Sequence, residues 1–132
     1  MKLNDFDSTY LEKCRNALSS EQTKSLSETN NWAHVDKQQV HTDWDTLYKV
    51  ISPLIDNSMP GDENIQTLVD SHFKITCRFY QPSTDAYLGM ALFYAENKDM
   101  EAFHNAYHPK MVAFLGDGMS IYAHRNLRST LA

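Results

Sequence analysis

Two histidines four residues apart are the first side chains in this sequence whose spacing suggests chemistry. His104 and His108 would share one face of a helix, as two imidazole ligands of a metal ion do. No glutamate follows His104 directly, Pro109 indicates the start of a new helix, and no third ligand is near in sequence. We therefore predict that the chain has no metal site.

The cysteines and carboxylates do not form a recognisable catalytic pattern. Cys14 and Cys77 have no neighbouring histidine. Arg78 could lower the pKa of the Cys77 thiol, but the pair is predicted in the middle of a helix rather than at its start. The glutamates are scattered, and no two look like a general acid and base. We predict that the chain is not an enzyme and needs no cofactor; an α-helical haem protein is a remote alternative suggested by six histidines.

Aromatic and methionine side chains dominate the second half of the sequence. Tyr87, Met90, Ala91 and Tyr94 have the spacing of a buried helical stripe, and composition alone favours a core role for them. A buried tyrosine, however, needs a hydrogen-bond partner or a wet edge for its hydroxyl group. An elongated cleft for a large, partly apolar ligand would supply such edges. Spacing does not decide which rings face a ligand, and His72, on an apolar helix face, is more typical of a core histidine than of a ligand contact.

Helical periodicity accounts for most of the chain, and no segment of the second half alternates with a period of two. The sequence predicts an all-α, compact, single-domain fold over residues 1–132, with a helical core at 42–126 and a mobile lid within 1–41. Polar residues dominate the part of this lid between Ser19 and Gln39. The predicted helices begin and end at these residues: Asp7 and Leu18, Thr42 and Ile55, Ile65 and Phe79, Thr84 and Glu96, Asp99 and Tyr107, Pro109 and Asn126.

Composition narrows the classes of protein to which the chain can belong. Of its 132 residues, 42% are hydrophobic and 22% charged, which is ordinary for a globular domain. The formal net charge is −5, and the nearest approach to a basic cluster is Arg125 with Arg128, so nucleic-acid binding by this chain alone is not expected. No secretory signal or membrane span is apparent, and we predict a cytoplasmic protein. No heptad seam indicates a strong oligomer, so we expect a monomer or weak dimer.

Short sequence elements in a fixed order resemble the TipAS antibiotic-recognition domain, which also forms the effector half of certain MerR-type transcription activators. No single element is specific, but their order and spacing extend over nearly the whole chain. The elements that carry the resemblance are Asp5-Phe6-Asp7 with Tyr10, Thr42-Asp43-Trp44, His72-Phe73-Lys74-Ile75, Tyr80, Tyr87-Leu88-Gly89-Met90-Ala91, Tyr94, Lys98-Asp99-Met100, Tyr107-His108-Pro109-Lys110-Met111, Phe114-Leu115, Asp117 and Ile121-Tyr122-Ala123.

The resemblance implies a globin-like arrangement of helices, a cleft for large peptide-type antibiotics, and an N-terminal part that is mobile until ligand arrives. It favours the cleft interpretation of the tyrosines. The ligand-binding residues that we predict are His72, Phe79, Tyr80, Tyr87, Met90, Tyr94, Phe103, Tyr107 and Met111, with Leu26 and Trp32 in the lid.

Two departures from the family pattern shape the functional hypothesis. We expect the chain to lack the DNA-binding half of the activators. The cysteine through which some members bond covalently to dehydroalanines aligns with Gly89, so we expect reversible binding. The leading hypothesis is a stand-alone protein that sequesters a large antibiotic for resistance or sensing. The alternative is a regulatory module, derived from an activator's effector domain, that binds a partner protein.

Overall fold

The first helix is longer than its apolar pattern predicts. In the computed structural model, which describes residues 2–127, α1 spans Ser8–Glu28, and the carboxylate of Asp7 caps it by accepting a hydrogen bond from the Tyr10 amide. The prediction that this helix ends at Leu18 was wrong. Its polar second half is held by tertiary contacts, because Glu21 accepts hydrogen bonds from the backbone and hydroxyl group of Ser83. Whether residues 19–39 are mobile without ligand remains a prediction.

The second helix also begins earlier than predicted. α2 spans Lys37–Ile51, and its N-cap is Asp36, whose carboxylate accepts a hydrogen bond of 3.0 Å from the Gln39 amide. The Thr42 start was wrong because the sequence pattern there reflects an acidic turn inside the helix. Val40, which falls within the predicted lid at 1–41, is 1% exposed and anchors this added turn in the core.

The remaining helices agree with prediction to within a few residues at most ends. Ser83 caps the fourth helix by accepting from the Ala86 amide, as its sequence predicts. A 3₁₀ segment, which we had included in the second helix, follows α2. The later elements are the 3₁₀ segment Ser52–Asn57, α3 Glu63–Thr76, α4 Thr84–Glu96, α5 Lys98–Asn105 and α6 Met111–Asn126.

The fourth helix is the centre of the fold. It packs against α1, α5 and α6, and ten of its thirteen residues are buried. At Gly89, α1 crosses so closely that an added Cβ would lie 2.3 Å from the carbonyl oxygen of Cys14. The described residues form helices and turns only, which confirms the all-α prediction. Within residues 2–127, no helix combines the length and the hydropathy needed to cross a membrane.

Candidate functional site

A cleft opens between the second half of α1, the end of α4 and the turn that follows α3. Its first cavity has a volume of about 160 Å³. Aromatic rings and thioether side chains make up most of its wall, which is the composition expected for a site that adapts to a large apolar ligand. The lining residues are Leu18, Gln22, Trp32, Trp44, Thr76, Phe79, Tyr80, Met90, Phe93, Tyr94 and Met100.

A second cavity continues the cleft toward α2 and α5. It has a volume of about 260 Å³ and shares Trp44, Tyr94 and Met100 with the first cavity. Together the two cavities fall within the range of about 300–1,000 Å³ that is typical of sites for drug-sized ligands. The second cavity is lined by His41, Trp44, Tyr48, Tyr94, Met100, Phe103 and His104.

Exposed aromatic rings stand at the two ends of the cleft. Phe93 is 45% exposed beside the first cavity, and Phe103 is 48% exposed beside the second. A groove between α1 and α4 leads away from the first cavity past Phe93, and Leu26 lines it. The cleft therefore offers an extended apolar path rather than a closed hole.

The turn between α1 and α2 places a tryptophan over the first cavity. Asn30, Asn31 and Trp32 have φ values of 53°, 59° and 61°, a left-handed run that is costly for a tryptophan. Hydrogen bonds fix it: the Trp32 indole N–H donates to the Ser25 hydroxyl group at 2.9 Å. The Trp32 ring meets Phe79 edge-on, with 4.9 Å between ring centroids. Trp32 thus forms the wall of the first cavity on the side where we predicted a lid.

Two buried polar atoms in the wall of the first cavity have no hydrogen-bond partner among the described residues. They are Nε1 of Trp44 and the hydroxyl oxygen of Tyr80. Burial raises the pKa of Tyr80, so its hydroxyl group keeps its proton at neutral pH. The wall therefore holds two donors, and leaving a buried donor unpaired costs about 1–3 kcal/mol.

Below the cleft lies a layer of neutral histidines and tyrosines. Burial lowers the pKa of His72 to about 3, and Nδ1 of its ring lies 2.7 Å from the Tyr87 hydroxyl oxygen. Burial also lowers the pKa of His104, which stacks on Tyr94 with ring centroids 4.2 Å apart. Burial raises the pKa of Tyr94, so it too stays uncharged. This layer therefore presents aromatic rings and dipoles to a ligand, but no formal charge.

The structure brings some of the predicted ligand residues to the cleft. Phe79, Tyr80, Met90 and Tyr94 line the first cavity, and Phe103 and Tyr94 line the second. The prediction did not include several lining residues, because they come from five different helices. The sequence shows Trp44 as a large aromatic residue beside the acidic residues of α2, but it does not show which way the indole group points. The others not predicted are Leu18, Gln22, His41, Tyr48, Thr76, Phe93, Met100 and His104.

Other predicted ligand residues lie under the cleft or away from it. Tyr87, Met111 and His72 are all 0% exposed and pack in the core. His72 touches the cleft wall from beneath, since its ring stacks on Trp44 with centroids 5.8 Å apart. Tyr107 packs against Tyr48 and donates its hydroxyl proton to Asp45 at 2.5 Å.

The two histidines considered for metal binding, His104 and His108, make separate structural contacts. His104 bonds through Nδ1 to the carbonyl oxygen of Met100 and through Nε2 to the Tyr48 hydroxyl group. His108 lies 3.0 Å from Asp56. In the described part of the chain, no three histidine, cysteine, aspartate or glutamate side chains group as metal ligands.

Comparison with known proteins gave one family and no individual relative. The search of curated proteins and the search of solved structures produced no significant match. A family model, the TipAS antibiotic-recognition domain, matches residues 10–122. This span includes every residue that lines the two cavities. The chain therefore belongs to the TipAS antibiotic-recognition domain family.

Proposed function

We propose that this protein reversibly binds a large, peptide-like or aromatic natural-product antibiotic in the cleft, and that it withholds or senses the drug by binding without turnover. The observation that carries the proposal is the pair of adjacent cavities that share Trp44, Tyr94 and Met100, the first of them also walled by Trp32 and Phe79. A ring desolvated against such a wall contributes on the order of 1–3 kcal/mol. An extended ligand that covers several of these rings could reach nanomolar affinity, which corresponds to about 12 kcal/mol.

The polarity of the cleft favours a neutral ligand with hydrogen-bond acceptors. Trp44 Nε1 and the Tyr80 hydroxyl group are donors without partners among the described residues. His72 and Tyr94 stay uncharged beneath them, so a formal charge on the ligand would lack a counter-charge there. Carbonyl oxygens or ring nitrogens of a peptide-like antibiotic are acceptors of the required kind.

The packing at Gly89 supports reversible rather than covalent capture. A Cβ atom at this position would lie 2.3 Å from the Cys14 carbonyl oxygen and 2.9 Å from Cβ of Leu18. A cysteine placed there could not be accommodated without moving α1 away from α4. Cys14 itself is 0% exposed, and burial raises the pKa of its thiol group to about 11, which disfavours the reactive thiolate.

The two tryptophans give a direct test. The sequence contains two tryptophans, Trp32 and Trp44, and both line the first cavity, so intrinsic fluorescence reports on the cleft. We expect thiopeptides or other large aromatic antibiotics to change this fluorescence until about one equivalent of ligand has been added. Calorimetry should give the same stoichiometry. Mass spectrometry of the recovered ligand should show no chemical change.

Controls separate cleft binding from surface adsorption. Trp32→Phe and Trp44→Phe each leave one reporter, and in each variant the fluorescence should saturate at the ligand concentration at which calorimetry of that variant does. No heat and no fluorescence change at high micromolar concentration across the panel would contradict the proposal. Retention of a partner protein by the unliganded cleft would then favour the regulatory module.

A further inference from the structure

A cavity outside the cleft lies where the first half of α1 meets the start of α4 and the end of α6. We call it the acidic cavity, and its volume is about 480 Å³. It shares no lining residue with the two cavities of the cleft. Its lining residues are Phe6, Tyr10, Lys13, Thr84, Asp85, His124 and Leu127.

The carboxylate of Asp85 is the deepest charged group of the acidic cavity. Asp85 is 3% exposed, and its Oδ1 accepts a hydrogen bond of 2.8 Å from the Tyr10 hydroxyl group. Its Oδ2 lies 3.6 Å from Nζ of Lys13, too far for a good hydrogen bond. The Lys13 side chain is 47% exposed, so solvent weakens the attraction. The first turn of α4 favours a negative charge here, but a buried carboxylate ordinarily has a closer counter-ion.

Nε2 of His124 is a second acceptor at the rim of the acidic cavity when its ring is neutral. Nδ1 of His124 lies 2.9 Å from the carbonyl oxygen of Ser120, which can only accept, so Nδ1 carries a proton. In the neutral ring, Nε2 is then an acceptor, and it faces the Tyr10 hydroxyl oxygen at 3.4 Å. The single Tyr10 hydroxyl proton is already directed at Asp85. With this tautomer of the neutral ring, no proton lies between Tyr10 and His124, so Nε2 of the exposed His124 is open to a donor from solvent or from a ligand.

The hydroxyl group of Thr84 is a second, independent polar feature of the acidic cavity. Thr84 is 3% exposed, lines the acidic cavity, and its Oγ1 has no hydrogen-bond partner within residues 2–127. A buried threonine hydroxyl can ordinarily bond to the backbone of its own or a neighbouring turn. At the wall of the cavity, this hydroxyl group is available to bond a polar group that enters.

Three rings complete the wall around these acceptors. Phe6 stacks on His124 with 5.0 Å between centroids and an interplanar angle of 22°. Phe6 also packs against Tyr10 at a centroid distance of 5.0 Å. Phenyl and phenol faces attract cations, and they do so more strongly beside a buried carboxylate.

We propose that the acidic cavity is a second binding site and that it takes a ligand carrying a cationic amine. The ammonium N–H groups donate to Asp85 Oδ2, in place of Lys13, and to Nε2 of neutral His124, and Thr84 Oγ1 accepts a further one. Lys13 is the resident cation that such a ligand displaces toward solvent. The site is independent of the antibiotic proposed for the cleft.

The test is a titration of the full chain with butylammonium chloride, followed by amide NMR at constant ionic strength. We expect saturable shifts at the amides of Thr84 and Asp85, with a dissociation constant on the order of millimolar for so small a probe. Butanol is the uncharged probe of matched size and should give no saturable shift. Equal responses to butanol and butylammonium would overturn the proposal.

Two lysine variants provide the sharper comparison, because neither lysine supports the fold through the core. Lys13→Met keeps the aliphatic stem, removes the resident cation, and should tighten butylammonium binding several-fold. Lys24→Met makes the same change of net charge on an exposed position of α1 and should leave the affinity unchanged. Equal affinities in the two variants would overturn the proposal. Asp85→Asn should weaken binding at least tenfold; unchanged affinity in a folded Asp85→Asn protein would also overturn it.

Discussion

The cleft and the acidic cavity lie on opposite sides of the crossing of α1 and α4, and they differ in which polar atoms lack partners. The cleft has unpaired donors, Trp44 Nε1 and the Tyr80 hydroxyl group. The acidic cavity presents acceptors, Asp85 Oδ2 and Nε2 of the neutral His124 ring. One pair of helices therefore presents surfaces for ligands of opposite hydrogen-bonding character. Shape alone would not distinguish them, since both are open and partly aromatic.

The largest expected effect comes from breaking the crossing that both sites share. Gly89→Ala places a methyl group against the Cys14 carbonyl, and we expect a loss of about 3 kcal/mol or more in the free energy of unfolding. Urea unfolding measures it. Gly116→Ala is the matched control, since its Cβ would meet the flexible tip of Leu3 at 3.0 Å and Cβ of Ala91 at an ordinary 3.8 Å, and alanine is the better helix former. Equal losses in the two variants would contradict the assigned role of Gly89.

A pH titration sharpens the claim that the layer beneath the cleft is neutral. His72 has a pKa of about 3 in the folded protein, below the ordinary 6.5, so the unfolded chain binds a proton first as the pH falls. The contribution of His72 to the free energy of unfolding is therefore complete above pH 6.5 and is lost as the pH falls toward 3. Between pH 7 and pH 5 the free energy of unfolding should fall by about 2 kcal/mol. Unfolding curves at both pH values measure this loss. His72→Asn should show a smaller loss; an unchanged slope in that variant would assign the effect to other groups.

Removing the ring above the first cavity should affect the cleft alone. Trp32→Ala deletes the edge-on contact with Phe79, and we expect antibiotic affinity to fall by about 2 kcal/mol. Trp32→Phe keeps a ring and should lose less. Calorimetry measures the antibiotic affinity, and the NMR titration measures butylammonium in the same variants. A parallel loss of butylammonium binding would show that the two sites are not separate.

The smallest expected effects distinguish the two unpaired hydroxyl groups. Tyr80→Phe should weaken antibiotic binding by about 1 kcal/mol, and Thr84→Val should weaken butylammonium binding by a similar amount. Because each substitution removes a buried polar atom without a described partner, neither should lower the free energy of unfolding. Tyr80→Phe should leave butylammonium affinity unchanged, and Thr84→Val should leave antibiotic affinity unchanged. Destabilisation by either variant would reveal a partner for that hydroxyl group.

Local patterns were enough to predict the helices that carry their own signals. Ser83 and Asp85 placed the start of α4 correctly, because a cap and an acidic first turn are properties of adjacent residues. The second half of α1 lacked such signals, since its order depends on Glu21 reaching Ser83, 62 positions away. The globin-like arrangement of the helices remains a prediction.

The candidate site was predictable in its residue types but not in its geometry. Tyr87 and Tyr94 belong to one helical stripe, yet Tyr94 lines the cleft while Tyr87 is buried against Phe73 and His72. Which face of α4 is open depends on where α1 crosses it, and that is a long-range property. Trp44 was read as the start of a helix, although its indole group forms the wall that the two cavities share.

The contact between Tyr10 and Asp85 joins residues 75 positions apart, which has a consequence for the newly made chain. At about 5–20 residues per second, a ribosome needs roughly 4–15 s to add the intervening residues. Until that interval ends α4 has not been made, so Cys14 and Leu18 on α1 have no crossing helix to cover them. The apolar side of α1 therefore stays uncovered while residues 29–83 are made, and neither cavity exists until synthesis has passed the middle of the chain.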